Sequence, residues 1–181
     1  MLGAAARLYW RGFGHAIQPL PTGPRQGAAL VAAAMRPARA LVAIDARGAL
    51  VGLAGLRGPD GGFLEPERAD FRAAFGPTGG ALRGALIRLY RAGSPTGDLI
   101  LDGVAVRPRW RGLGIARALA AAAEAEARRR GHPALLVEVE ARNRAALASW
   151  LALGFQPAGR QHLGWPWHPR AHVLRRPVGP S

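Results

Sequence analysis

The chain has no cysteine, which excludes disulfides, thiolate metal sites and a cysteine nucleophile. It has no lysine either. All 25 of its basic residues are arginine, against 11 acidic residues, for a formal charge of +14. Without lysine there is no Walker loop, and His-Glu-x-x-His and Gly-x-Ser-x-Gly are also missing. No apolar run approaches the roughly 20 residues that span a bilayer. The start, Met1 to Arg7, lacks the charged and then apolar order of a secretory signal. The expectation is a cytoplasmic protein with no membrane partner. The five histidines make no metal site: His168 and His172 are four apart, but Pro169 argues against a helix between them, and His15 and His132 have no obvious partners.

What is abundant is alanine, glycine, proline and arginine. That bias, with lysine absent, reads as genome-wide composition, so the charge says less about function than its size suggests; a surface of this sign still attracts anions. At 181 residues the chain is most simply one domain, 1–181, long enough to bury a core.

The best-supported core is 98–156. Leu99 to Val106 is an apolar run of strand length, which Pro108 ends because proline offers no N–H to a ladder. Arg109-Trp110-Arg111-Gly112-Leu113-Gly114-Ile115-Ala116 follows. From Gly114 to Arg130 strong helix formers dominate, and arginines followed by Gly131 suit a helix end. Ala134 to Glu140 is a second apolar strand. The first N–H groups of a helix have no partner inside it and point outward at the positive end of its dipole. The turn at Gly112, Gly114 and Ala116 carries almost no side chain, so a pyrophosphate can reach the main chain there, with Arg111 and Arg109 adding charge-assisted hydrogen bonds. The same residues also fit a tight strand-to-helix turn with solvated arginines.

Arg111-Gly112-Leu113-Gly114-Ile115-Ala116 resembles the Arg/Gln-x-x-Gly-x-Gly/Ala signature of the GNAT superfamily of N-acetyltransferases. Asn143 to Phe155, with Asn143, Ala146, Trp150, Gly154 and Phe155 in order, resembles the later signature of the same superfamily. Two motifs in order and at the right separation are far more specific than either alone. The resemblance implies a mixed α+β fold, a central sheet flanked by helices. It also implies acetyl-CoA as cosubstrate, bound where two parallel strands splay apart, with its pyrophosphate on the Arg111–Ala116 turn. It further implies an amine-bearing small molecule, peptide or protein as acceptor; a homodimer is compatible with it. Backbone groups of the Asp102–Val106 strand, at Val104 and Val106, would face the thioester, and Asn143 would contact the cofactor arm or fix its loop. Asn143 is equally a good helix N-cap.

Elsewhere, Ala4 to Ile17 is a helix with Leu8, Tyr9, Phe13 and Ile17 buried, and Pro24 opens a second helix to about Met35. Ala40–Ile44 and Ala49–Leu56 form a hairpin. The segment 64–97 is a helical insertion. Pro66 to Phe75 is helical, 76–80 breaks it, and Ala81 to Arg91 is helical again, with Leu82, Ala85, Leu86, Leu89 and Tyr90 at helix spacing. It serves either as a wall of the substrate site or as plain cover for the sheet. Phe155–His162 and Ala171–Arg176 are closing strands, and Pro177–Ser181 is a loose tail.

Acyl transfer to an amine needs a base, a polarised carbonyl and a stabilised leaving thiolate. Without cysteine, direct attack in a ternary complex is expected. Asp102 and Glu138 are the base candidates, because each lies in an apolar strand and burial pushes a carboxylate's pKa upward; each also has the simpler option of pairing with an arginine. Many members of the superfamily carry Tyr where Trp150 stands, and an indole N–H is no general acid at neutral pH. Trp150 can therefore only hydrogen-bond the sulfur or pack beside it. That departure keeps open a catalytically weak acyl-CoA sensor. A dinucleotide-binding domain fits Gly112-x-Gly114 and Glu138 or Glu140, but Arg117 stands where a third small residue belongs. A specific nucleic-acid partner is not expected, since the arginines are spread along the whole chain and no recognition signature is present.

Overall fold

A computed structural model describes residues 1–179. Two helices, α1 (Leu2–Ile17) and α2 (Pro24–Ala34), precede a hairpin of β1 (Ala40–Ile44) and β2 (Leu50–Arg57). The hairpin turn is closed by Asp45, whose Oδ1 accepts from the N–H groups of Arg47 and Ala49. Helix α3 (Arg68–Leu86) forms the insertion. The central unit follows as β3 (Leu99–Val106), α4 (Ile115–Arg129) and β4 (Ala134–Val139). Then come α5 (Arg144–Ala152), β5 (Gln156–Gln161) and β6 (Ala171–Pro177).

The strands form one six-stranded sheet in the order β1-β2-β3-β4-β6-β5. Every neighbouring pair is antiparallel except β3 with β4. This mixed sheet is the fold the resemblance implied, and it overturns the dinucleotide-binding alternative, which requires successive parallel strands.

Strand alternation sends side chains to two faces. On one, Ala54, Leu56, Leu99, Leu101, Leu135, Val137 and Val139 pack under Leu119, Ala120, Ala123 and Ala127 of α4, together with Trp150 and Phe155. On the other, Leu50, Leu53, Ala105 and Phe63 pack against Ala5, Leu8, Tyr9 and Ile17 of α1 and Val31 of α2. Leu135 is fully enclosed. Truncating such a residue to alanine costs about 2–5 kcal/mol.

The parallel pairing is short. Leu99–Leu101 pair with Leu135–Val137 and the ladder then stops, while β4 continues along β6 to Val139. On its other side β3 pairs Asp102 with Gly55 and then Ala105 with Leu53, so one extra residue is inserted between them. This bulge falls at Gly103, which has φ +73°, a value that side-chain-bearing residues rarely adopt. The bulge swings the second half of β3 away from β4, and the two parallel strands part.

The insertion departs from expectation in three respects. The break narrows to Gly76, with φ +75°, because Pro77 immediately opens the next helical stretch. The start moves from Pro66 to Arg68, since Glu67 and Asp70 form a reciprocal capping box. The apolar spacing also misleads. Leu82 and Leu89 are 55% and 49% exposed, and the buried face is carried by Phe71, Gly80 and Gly84 instead. The tail is less loose than its composition suggests: Pro177 ends β6, and Val178 is buried with its N–H on the carbonyl of Pro133. Pro180 and Ser181 lie outside the described residues.

Candidate active site

The turn after β3 is open. Gly112 and Gly114 have φ near +77° and +78°, and Gly114 is the N-cap of α4 with no side chain capping the helix and no acid in its first turn. A β-carbon at either glycine would find nothing within 4 Å, and Leu113 is 65% exposed. The N–H groups of Ile115, Ala116 and Arg117, in the first turn of α4, have no acceptor inside the helix, which begins its ladder with Ala118 donating to Gly114. Arg111 lies over the turn with its Nε on the carbonyl of Val106 at 3.2 Å, which leaves its terminal nitrogens for an anion.

The backbone of Val106 faces the gap. Arg107 donates to Val51 across the hairpin side, so Arg107 and Ala105 face β2. By alternation Val106 and Val104 turn toward the edge that β4 has left. Asn143 caps α5, its Oδ1 accepting from Ala146 N–H at 3.0 Å. Trp150 is buried in the α4-side core, edge-on to Phe155 at 5.3 Å.

On the opposite face of the sheet, Arg57, Asp102 and Glu138 lie on three neighbouring strands beside the point where β3 and β4 separate. Arg57 reaches Glu138 Oε2 at 2.5 Å and Asp102 Oδ2 at 3.5 Å. The side chain of Glu138 is 5% exposed, and its other oxygen accepts from Gln161 Nε2. The Asp102 side chain keeps 32% of its surface. Burial pushes the Glu138 carboxyl above its ordinary range, opposed by the Arg57 charge; Asp102 adds to the rise. Burial works against the Arg57 charge, and the two carboxylates outweigh it.

Both tyrosines of the chain lie near this cluster. Burial pushes the Tyr90 phenol up to about 12, with Asp102 and Glu138 adding to the rise. Burial and then Asp102 push Tyr9 well above its ordinary value. A β-carbon at Gly103 would sit 2.5 Å from the Tyr9 ring, so Tyr9 packs directly on the bulge. The Tyr90 ring meets Trp165 edge-on at 5.4 Å, and the Trp165 indole donates to the carbonyl of Ala16 at the end of α1. Arg91 and Gly164 exchange two backbone hydrogen bonds. The end of α1, the end of the insertion and the β5–β6 loop are thereby drawn together around the cluster. His15 meets Glu140, just past β4, at 3.3 Å.

The chain matches the model of the acetyltransferase (GNAT) family over residues 4–155. It belongs to the GNAT acetyltransferase family. At the level of the family, this GNAT chain is an acetyltransferase that uses acetyl-CoA and acts on amines. It is similar in fold to an acetyltransferase of known structure, with TM-score 0.68 and 21% identity over 98% of this chain and 95% of that one. A GCN5-related N-acetyltransferase from Kribbella flavida has TM-score 0.57 and 22% identity over 98% and 92%. The ribosomal-protein-S18-alanine N-acetyltransferase from Escherichia coli has TM-score 0.55 and 19% identity over 99% and 89%. No curated protein matches the chain at a significant level.

In this GNAT chain the expected turn residues, Arg111 to Ala116, lie together, with Val104 and Val106 turned toward the same opening. Asp102 and Glu138 share one arginine. Trp150 lies on the α4 side of the sheet, away from that carboxylate cluster. Sequence reasoning missed Arg57 and Gln161, and read Tyr9 and Tyr90 only as packing. The signal for Arg57 was its place at the end of a hairpin strand, beyond an otherwise apolar run.

Proposed function

We propose that the chain transfers an acetyl group from acetyl-CoA to a primary amine by direct attack in a ternary complex. The observation that carries this reading is the separation of β3 from β4 at the Gly103 bulge. It opens backbone groups between a free helix N-terminus and a pair of carboxylates. The N–H groups from Gly112 to Ala116 hold the pyrophosphate, with Arg111 adding charge. Backbone N–H groups at Val104 and Val106 polarise the thioester carbonyl. Asn143 fixes the loop beside the cofactor arm by capping α5.

Asp102 is the base and Glu138 the anchor. Both Glu138 oxygens are engaged, one by Arg57 and one by Gln161, whereas Asp102 is more open and only loosely held by Arg57. Asp102 takes a proton from the ammonium, directly or through water, and the free amine forms the new C–N bond. The C–S bond breaks, and the second proton of the attacking nitrogen passes to the leaving thiolate or to solvent. Trp150 supplies no proton; it stays packed against Phe155 in the α4-side core.

The Trp150 position favours one second reading, an acyl-CoA sensor with little turnover. Thiol release measured across an amine panel separates the two. Turnover with at least one amine, falling by about 10²–10⁴ in Asp102→Asn, supports the transferase. Tight acetyl-CoA binding with no thiol released on any amine would favour the sensor.

A further inference from the structure

The face of α1 that points away from the sheet lines an open groove, of about 960 Å³, bounded on its far side by α2 and at one end by the connection at residues 18–23. Arg7, Trp10, Gly14 and Gln18 recur at helix spacing on this face, while Tyr9 and Phe13 face the sheet, so the groove is separate from the carboxylate cluster. Its volume lies within the roughly 300–1,000 Å³ of ordinary ligand sites.

Three features set its chemistry. Arg7, Arg11 and Arg25 all line it, no acidic side chain does, and none of the three has an ion-pair partner among the described residues. The indole of Trp10 is slotted between the two helices: a β-carbon at Gly27 would fall 2.1 Å from its ring and one at Gly14 2.8 Å. It therefore forms a fixed, flat apolar wall. Gln18 is 7% exposed, lines the groove and leaves Oε1 with no hydrogen-bond partner. An unpaired buried carbonyl oxygen is costly unless a donor reaches it. The rim is stiffened by Pro19, Pro21 and Pro24, and Arg83 from α3 donates to the carbonyl of Pro21 at 3.0 Å.

We propose that this groove binds a small organic anion, a carboxylate or phosphate ester on a flat apolar body. The body lies along Trp10, the charged group sits among Arg7, Arg11 and Arg25, and a hydrogen-bond donor on the ligand meets Gln18 Oε1. Arginine is suited to such groups because its planar fork holds two oxygens at once.

The test is titration calorimetry of the full chain with 6-hydroxy-2-naphthoate, whose hydroxyl can donate to Gln18 Oε1, and with its neutral isostere 6-hydroxy-2-naphthamide. Naphthoate is expected to bind at least about tenfold more tightly than the amide. Arg25→Gln, at the one of the three arginines that does not also line the groove beside Arg107 and Arg109, should weaken that preference, and Ala29→Trp, which fills the groove from the exposed side of α2, should abolish binding of both. Acetyl-CoA affinity should be unchanged in these variants, and acetyl-CoA should not compete with naphthoate. Equal binding of acid and amide, a preference unchanged by Arg25→Gln, binding that survives Ala29→Trp, or displacement by acetyl-CoA would each overturn the proposal. Failure of acetyl-CoA to bind, with naphthoate still held, would instead count against the acetyltransferase reading alone.

Discussion

Arg57 and Glu138 meet at 2.5 Å although they lie 81 residues apart in the chain. One ends a hairpin strand and the other sits in a strand of the central unit, so their contact requires β2, β3 and β4 to be in register. Removing one partner of a buried ion pair leaves the other charge uncompensated, at a cost of about 3–5 kcal/mol. Arg57→Met is therefore expected to lower unfolding free energy by about 3 kcal/mol in urea titrations, whereas Arg57→Met with Glu138→Leu should recover most of it. Equal losses in the single and double variants would contradict the pairing.

The same pair gives a pH signature. Burial raises the Glu138 pKa in the folded state above its ordinary 4.5, so the folded chain binds the proton more tightly than the unfolded one. Stability from this group is present at low pH and declines as pH rises from 4.5 through the folded value. Asp60 and Glu126 act in the opposite sense. Hydrogen bonds from Arg39 hold Asp60 down to about 2, and those from Arg129 and Arg130 hold Glu126 down to about 2; their stability is present above the ordinary carboxylate values and is lost as pH falls toward 2. Glu138→Gln should flatten the decline above 4.5 and leave the acid limb unchanged. A decline that persists in Glu138→Gln would assign it to another group.

Gly103 is doubly constrained, by its φ of +73° and by the Tyr9 ring 2.5 Å from where a β-carbon would stand. Gly103→Ala is expected to cost about 1–3 kcal/mol in backbone strain alone, and to reduce thiol release sharply by moving the backbone groups of Val104 and Val106. Tyr9→Leu relieves the contact without the strain, so the double variant should stay below wild-type stability. A Gly103→Ala protein with wild-type stability and turnover would show that the bulge does not position the site.

Trp150 is expected to contribute packing rather than a proton. Trp150→Phe should change turnover at pH 7 by only about threefold, against the 10²–10⁴ that general acid catalysis supplies. A loss in that larger range would make the indole N–H a necessary donor.

Local chemistry was legible from the sequence and long-range chemistry was not. The bounds of Ala40–Ile44 and Leu99–Val106 follow from apolar runs stopped by Asp45 and Pro108, and the Gly112–Gly114 turn announces itself because only glycine suits such a backbone. Arg57 could not be told from the other arginines, since its role depends on two strands distant in sequence. Leu82 and Leu89 misled because helical spacing identifies a stripe but not whether anything covers it. Nothing in the residues Asp102-Gly103-Val104 says that a bulge falls there; it follows from how the strand pairs with β2 and parts from β4.

Acetyl-CoA binding at the start of α4 is tested most directly by calorimetry on the wild type and on Ala116→Glu. Ala116 lies in the first turn of the helix, where a glutamate favours helix formation and folding is retained. The same charge would stand beside the pyrophosphate and repel it. The expected result is saturable acetyl-CoA binding by the wild type and affinity weakened by at least about tenfold in a folded variant. Equal affinity in the two proteins would contradict the placement of the cofactor on this turn.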